Sequence, residues 1–129
     1  MLVKLKAITT DSLQKYIRKY PYAISKQVAF TLKAYQWTNT PKNLNSEEDF
    51  RTTFIVTKKA VSKSACIRDR CKRRVRDAVR QVFTAQAPKG FDYILFVYAP
   101  AYNMDWKELY KSVEDAVKIT QNVKMKKSK

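Results

Sequence analysis

The segment Lys58–Arg80, KKAVSKSACIRDRCKRRVRDAVR, carries ten Lys or Arg residues against two acids, Asp69 and Asp77. Apolar residues recur within it at steps of three and four, which is the spacing of one face of an α-helix. We therefore predict a helix from about Ala65 to Phe83 that packs one side on a core and presents arginines on the other. The apolar stripe consists of Ile67, Cys71, Val75, Ala78 and Val82.

The charge of this segment favours a polyanionic partner, because a surface of like charges is stabilised when phosphates lie against it. Arginine suits that role, since its planar guanidinium offers several donors to phosphate oxygens. Basic amphipathic helices also bind membrane surfaces or calmodulin, but those helices carry bulky Leu, Trp or Phe on their apolar side. The stripe here is mainly Cys, Val and Ala, which favours nucleic acid.

The composition agrees with one nucleic-acid-binding domain over residues 1–129. Its 27 basic and 11 acidic residues give a net charge of +16, and 45% of the chain is hydrophobic, enough for a modest core. We expect the basic ends, 1–10 and 120–129, to be flexible. No apolar run is long enough to cross a bilayer, so we expect no membrane partner.

The two cysteines, Cys66 and Cys71, lie five residues apart on the predicted helix and are badly placed to form a disulfide. The chain has no histidine and no second cysteine pair, so we expect no metal site. Reduced cysteines indicate an intracellular compartment. The first 27 residues contain a single acid, Asp11, which allows a mitochondrial targeting segment. We expect a mitochondrial matrix location, with the bacterial cytoplasm as the alternative.

Along the chain, the patterns predict the order α-β-β-α-β-α, an α+β sandwich of helices packed on a small sheet. A short helix begins near Thr10 and runs through Lys19, and a last amphipathic helix begins near Asp105. In the first predicted strand, Val28, Phe30 and Leu32 point inward, and Ala29, Thr31 and Lys33 point outward. The polar and turn residues at 38–49 predict an exposed hairpin loop. The predicted strands are Gln27–Trp37, Phe50–Thr57 and Asp92–Ala99.

The segment TKKAVSKSACIRDRCKRRVRDAVR resembles the signature of the bacterial-type ribonuclease P protein subunit. That signature is a strand ending in a lysine pair, a short loop, and an Arg-Asn-Arg-x-Lys-Arg motif that opens a helix. Lys58-Lys59 supplies the pair, and Arg68–Arg73 matches the motif with Asp69 in the place of Asn. The likeness extends from Ser12 to Lys118. Asp69 and several missing glycines favour a divergent member, organellar or bacterial.

The resemblance implies the ribonuclease P protein fold, which is of the ribosomal S5 domain 2-like type. It also implies a subunit that assists a catalytic RNA in removing 5′ leaders from precursor tRNA. The magnesium ions would belong to the RNA, and the protein would hold no cofactor. The candidate RNA contacts are Lys58, Lys59, Lys63, Arg68, Arg70, Lys72, Arg73, Arg76 and Arg80, and Tyr35 is the candidate for stacking on a leader base.

No protein-borne active site is predicted, because general acid-base or metal catalysis needs groups that this sequence scarcely offers. The dense acids Glu47, Glu48 and Asp49 lie in a loop, where we interpret them as solvated. The protein would then be a non-catalytic subunit of an endoribonuclease, without homo-oligomers. The alternative is a structural RNA-binding component of an organellar ribosome or another ribonucleoprotein. A DNA-binding or membrane-surface protein is a third class.

Overall fold

The computed structural model describes residues 5–127, with side chains described as far as residue 123. The predicted α+β class is confirmed. Four strands form one sheet: β1 (Ala23–Lys26), β2 (Phe30–Gln36), β3 (Arg51–Ile55) and β4 (Phe91–Val97). The helices are α1 (Thr10–Tyr16), α2 (Ala65–Gln86), a short 3-10 helix (Ala99–Tyr102) and α3 (Trp106–Lys127).

The strands lie in the order β1-β2-β4-β3. β2 pairs antiparallel with both β1 and β4, whereas β3 pairs parallel with β4. The prediction of a hairpin loop at 38–49 was therefore wrong, because β4 lies between the two strands that this loop connects. A parallel pair needs a long crossover connection, and α2 provides it between β3 and β4.

The sheet buries a different set of residues on each face, as the alternation along β4 shows. Phe91, Tyr93, Leu95 and Val97 belong to the main core with the apolar stripes of α2 and α3. Ile94 belongs to a smaller cluster on the opposite face, and Phe96 packs against it. We call that opposite side the outer face; α1 covers part of it.

The helix α1 has only seven residues, none of them fully buried. Leu13 and Tyr16 contact the small cluster of Ile8, Tyr35 and Ile94. Thr9 caps the helix by accepting a hydrogen bond from the backbone N–H of Ser12. The helix ends at Tyr16, earlier than the predicted Lys19. Such a short helix has little stability of its own, so its position depends on contacts with the sheet.

The predicted strand at 27–37 is shorter in the structure, where β2 begins at Phe30, and a separate strand, β1, precedes it. β1 was missed because it has only four residues, and residues 27–29 form the turn to β2, closed by the Gln27 N–H bond to the Phe30 carbonyl at 2.8 Å. The inward assignment of Val28 was wrong, since it is 69% exposed on the turn. Ala29, assigned outward, is fully buried. Phe30 and Leu32 lie in the core as predicted.

Regular structure reaches into both basic ends within the described residues. Ala7 forms a bridge with Thr52, and the Ile8 side chain is buried. At the other end α3 continues to Lys127, with Thr120 buried. The flexibility of the ends 1–10 and 120–129 stays a prediction. Residues 1–4 and 128–129 lie outside the described part.

The chain's only glycine, Gly90, fixes the long loop between β2 and β3 to the end of the sheet. Its φ is +80°, and an added Cβ would lie 2.8 Å from the Ser46 carbonyl oxygen. Its N–H donates to the Asp49 carbonyl at 2.8 Å, and its carbonyl accepts from the Trp37 N–H at 2.9 Å. A side chain here would meet both a strained backbone and a steric clash.

Candidate nucleic-acid interface

The basic helix α2 is anchored by the apolar stripe that its sequence predicts. Ser64 caps its N-terminus by accepting a hydrogen bond from the Ile67 N–H. Ile67 is half-buried and packs against the core. The side chains that α2 buries fully are Cys71, Val75, Ala78, Val79, Val82 and Phe83. Burial raises the pKa of the Cys71 thiol, which is typical of a packing cysteine rather than a reactive one.

The cations on the solvent side of α2 are of two kinds, exposed and half-buried. Lys72 and Arg73 are exposed and make no ion pair with any residue from 5 to 123. Arg76 and Arg80 are half-buried, and their Nε atoms are buried without a hydrogen-bond partner in the described part of the chain. Arg80 Nη1 lies 3.7 Å from Asp77 Oδ1. A ligand can therefore reach Lys72 and Arg73 directly.

The loop before α2 holds three further candidates, Lys58, Lys59 and Lys63, all exposed. Arg68 does not point to solvent as a free cation. Its Nη1 donates to the carbonyl oxygens of Ser62 and Lys63, each at 2.9 Å. Arg68 thus holds the loop against the first turn of α2, and Lys63 stays near the helix.

Two arginines of α2 bind the 3-10 helix and the residues that follow it. Arg70 Nε donates to the Tyr102 carbonyl at 3.2 Å, and its guanidinium lies 5.0 Å from the Tyr102 ring centre. Arg74, which was not among the predicted contacts, donates to the Ala101 and Tyr102 carbonyls at 2.8 and 2.9 Å and also to the Met104 carbonyl. Arg74 therefore has a structural role, and Arg70 is only partly free.

Arg74→Ala is expected to lower the free energy of unfolding by about 1.5–3 kcal/mol, the range for hydrogen bonds from a charged donor. The carbonyls of residues 101–104 would lose the cation that ties them to α2. Arg73→Ala is the matched control, because Arg73 is exposed on the same turn; it should change stability by less than about 0.5 kcal/mol. Urea unfolding measures both. Equal losses would contradict the structural role of Arg74.

A buried carboxylate that no pattern in the sequence singles out organises the outer face. Asp92 is fully buried and accepts from Arg51 Nε at 2.8 Å and Arg51 Nη2 at 2.6 Å. The Tyr16 hydroxyl and Trp37 Nε1 donate to it at 2.5 and 2.7 Å. Hydrogen bonding to Asp92 raises the pKa of Arg51, and burial together with that carboxylate raises the pKa of the Tyr16 hydroxyl. The network joins α1, β3, β4 and the residue that follows β2.

Tyr35, the candidate for stacking, lies beside this network. It is 6% exposed, and its ring stacks on Tyr16 with 4.3 Å between centres and 20° between planes. Burial raises the pKa of its hydroxyl. A leader base could stack on this ring only if Tyr16 moved aside. The role of Tyr35 stays a prediction.

Part of the outer face is left open by α1. Sheet register aligns Ile24, Lys33, Ile94 and Thr53 across the four strands. Lys33 Nζ lies 5.1 Å from the Phe96 ring centre, and Ile24 is 45% exposed. Proteins that bind single-stranded nucleic acids commonly place a cation beside an aromatic ring. The alternation of side chains along a strand could have identified Lys33 and Phe96 as candidate contacts, because both side chains lie on the outer face.

Other kinds of site find little support in the structure. Residues 5–127 contain no group of three or more potential metal ligands from His, Cys, Asp or Glu. Asp49 makes an ion pair with Lys6, which lowers its pKa, and Glu47 and Glu48 are exposed. Within the same residues, no helix is long and apolar enough to span a membrane.

The chain is similar over most of its length to proteins of one family. The family model described as Ribonuclease P matches residues 14–121. A ribonuclease P protein component of Listeria monocytogenes is 29% identical over 127 residues, covering 98% of this chain and 96% of that protein. One from Paramagnetospirillum magneticum is 48% identical over 48 residues, covering 37% and 35% of the two chains.

Two solved structures support the fold. The RNase P protein of Staphylococcus aureus matches with a TM-score of 0.65 at 20% identity, covering 92% of this chain and 97% of that one. The RNase P protein of Thermotoga maritima matches with a TM-score of 0.62 at 18% identity, covering 90% and 96%. At these sequence identities, the structural similarity supports the fold but not a function.

Proposed function

Because this chain belongs to the ribonuclease P protein family, we propose that it is the RNA-binding subunit of a ribonuclease P-type ribonucleoprotein. It assists removal of 5′ leaders from precursor tRNA. In this proposal the catalytic RNA and its Mg²⁺ ions break the phosphodiester bond, and the protein holds no cofactor. The observation that carries the proposal is the exposed basic side of α2, fixed to the core by a stripe of buried residues.

The catalytic RNA docks on α2 and the loop before it. Lys72 and Arg73 offer free charges, and Lys58, Lys59 and Lys63 extend the surface beyond the helix start. Arg76 and Arg80, half-buried on the same helix, add positive charge to this surface. Arg68 contributes by holding the loop, and Arg70 contributes the donors that Tyr102 leaves free.

The single-stranded leader follows the open part of the outer face. Lys33 and Phe96 provide a cation and a ring side by side, and Lys26 on β1 is exposed. Bases stack on aromatic rings whatever their identity, while the lysines attract the backbone. Such contacts add affinity for precursor over mature tRNA, because only the precursor carries the leader.

The cellular location is inferred from relatives and cysteines. The relatives named above come from bacteria, which favours a bacterial cytoplasm over the mitochondrial matrix. Cys66 and Cys71 are free, as in a reducing compartment. Neither the family model nor the relatives support the alternative of a ribosomal component. We propose a monomeric protein whose partner is RNA.

The assay for this function is 5′-end mapping of a labelled precursor tRNA with protein, catalytic RNA, or both. The protein alone should not cleave at any Mg²⁺ concentration. Added to a bacterial ribonuclease P RNA, it should lower the Mg²⁺ needed for cleavage. The reason is that its positive side screens the repulsion between two polyanions.

A bovine serum albumin sample and nuclease-treated protein serve as controls. Cleavage by nuclease-treated protein alone would contradict the accessory role. Failure to stimulate any bacterial ribonuclease P RNA would contradict the proposed function itself.

A further inference from the structure

Two partly exposed aromatic rings lie where the 3-10 helix leads into α3, next to the basic helix α2. Tyr102 is 36% exposed and Trp106 is 37% exposed. Arg70 of α2 lies against the first of them, with its guanidinium 5.0 Å from the ring centre of Tyr102. The three elements that carry these residues pack on the main core, on the side of the sheet opposite to α1. We call Arg70, Tyr102 and Trp106 the aromatic corner.

The backbone of the aromatic corner is fixed to α2 by hydrogen bonds. Arg74 donates to three carbonyl oxygens of residues 101–104. Arg70 Nε donates to the Tyr102 carbonyl at 3.2 Å. Trp106, two positions after that segment, is the first residue of α3. A surface that is ordered in advance loses less conformational entropy when a partner binds.

The chemistry of the aromatic corner fits a base better than a phosphate. Unstacked RNA bases stack on aromatic rings and on guanidinium planes, and the corner offers both. The Nη atoms of Arg70 make no hydrogen bond to residues 5–123 and can meet acceptors on a base edge. Asp105 and Glu108 flank Trp106, are exposed and make no ion pair within the same range. Their charge disfavours a phosphate at this point.

The aromatic corner continues the basic side of α2. Arg70 and Arg73 are three positions apart on the helix, so their side chains are neighbours on one face. Arg73 and the adjacent Lys72 are exposed. An RNA strand whose phosphates contact these two cations can therefore place a neighbouring base at the corner.

We propose that the aromatic corner binds one unpaired base of the catalytic RNA that docks on α2. The base stacks on the pair formed by Arg70 and Tyr102, and Trp106 supplies a second stacking ring. The inference rests on the proposed function, because it takes the RNA docked on α2 as the partner. Lys72 and Arg73 contact the phosphate backbone, whereas the corner selects RNA that has an unpaired base at this position.

Tyr102→Ala and Trp106→Ala should each weaken binding to a ribonuclease P RNA about tenfold, because a base loses its stacking ring. The slope of log affinity against log salt should stay unchanged, because neither variant removes a charge. Filter binding at several salt concentrations measures both quantities. Ile119→Ala is the matched control and should keep full affinity. Ile119 is 38% exposed on the same helix but lies about 20 Å further along its axis.

Two further measurements separate stacking from an effect on folding. Tyr102→Phe keeps the ring and should keep the affinity that Tyr102→Ala loses. Saturation with the RNA should quench tryptophan emission, and Trp106→Phe should remove most of that quenching. The other tryptophan, Trp37, donates to Asp92 in the network of the outer face, away from the corner.

Three outcomes would overturn the proposal: unchanged tryptophan emission at saturating RNA, ring variants that bind as tightly as Ile119→Ala, or equal losses for Tyr102→Phe and Tyr102→Ala. With each of them, tight binding by the unsubstituted protein would leave the proposed function standing. If the unsubstituted protein does not bind a ribonuclease P RNA, the proposed function is contradicted. Quenching of Trp106 by an oligo-adenylate would then support a base-binding corner without that function, and unchanged emission would contradict both.

Discussion

Replacing Lys72 and Arg73 together by alanine is expected to weaken binding to a ribonuclease P RNA by about 100-fold or more. Each side chain donates a charge-assisted hydrogen bond worth about 1.5–3 kcal/mol when it meets a phosphate. Each also releases counterions, so the slope of log affinity against log salt should become less steep by about two. Filter binding at several salt concentrations measures both quantities.

The structure supplies two controls for this experiment. Both side chains are exposed, so circular dichroism and urea unfolding should match the unsubstituted protein. Lys111→Ala with Lys118→Ala removes the same charge from exposed positions of α3. That variant should lose only a few-fold in affinity, through the long-range field alone. If the two double variants bind equally, α2 is not the docking side.

Arg51→Leu is expected to lower the free energy of unfolding by about 3–5 kcal/mol, because it leaves a buried carboxylate without its cation. Asp92 is fully buried, and the Arg51 side chain is 7% exposed. Tyr16 and Trp37 would still donate to Asp92, but neither carries a charge. Such a loss is a large part of the stability of a small domain. Urea unfolding, followed by circular dichroism, measures it.

Asp77→Ala is the contrasting variant, since it breaks the more exposed pair with Arg80 at 3.7 Å. Pairs of that kind contribute about 0–1 kcal/mol. Adding Asp92→Asn to Arg51→Leu should recover part of the loss, because the uncompensated charge is removed. Comparable losses for Arg51→Leu and Asp77→Ala would show that the buried pair does not hold the outer face together.

Helix α2 is the element that the sequence predicts best. Its apolar stripe of Cys71, Val75, Ala78 and Val82 has the helical period, and all four are buried. A local pattern is enough to predict α2, because one face of the helix packs on the core and the opposite face is in contact with water. The strand β4 was predicted for a related reason: a run of apolar residues bounded by a turn and a proline is typical of a central strand.

The order of the strands could not be predicted from local patterns. β2 and β3 are consecutive in the chain and look like a hairpin, yet β3 pairs in parallel with β4. Strand pairing depends on which strand edges lie side by side once α2 has packed across the sheet. That arrangement is set by tertiary packing. The short β1 also lacks a pattern of its own and exists because β2 offers it a free edge.

A basic helix on an α+β domain can be predicted from local sequence, because charge and period are carried by neighbouring residues of one segment. The role of each arginine depends instead on contacts between residues that are distant in the chain. Arg73 stays free, Arg74 binds the carbonyls of residues 101–104, and Arg51 is neutralised by Asp92, 41 positions away in the chain. Identical side chains take different roles because the backbone brings different partners within hydrogen-bond distance, and no period in the sequence records those distances.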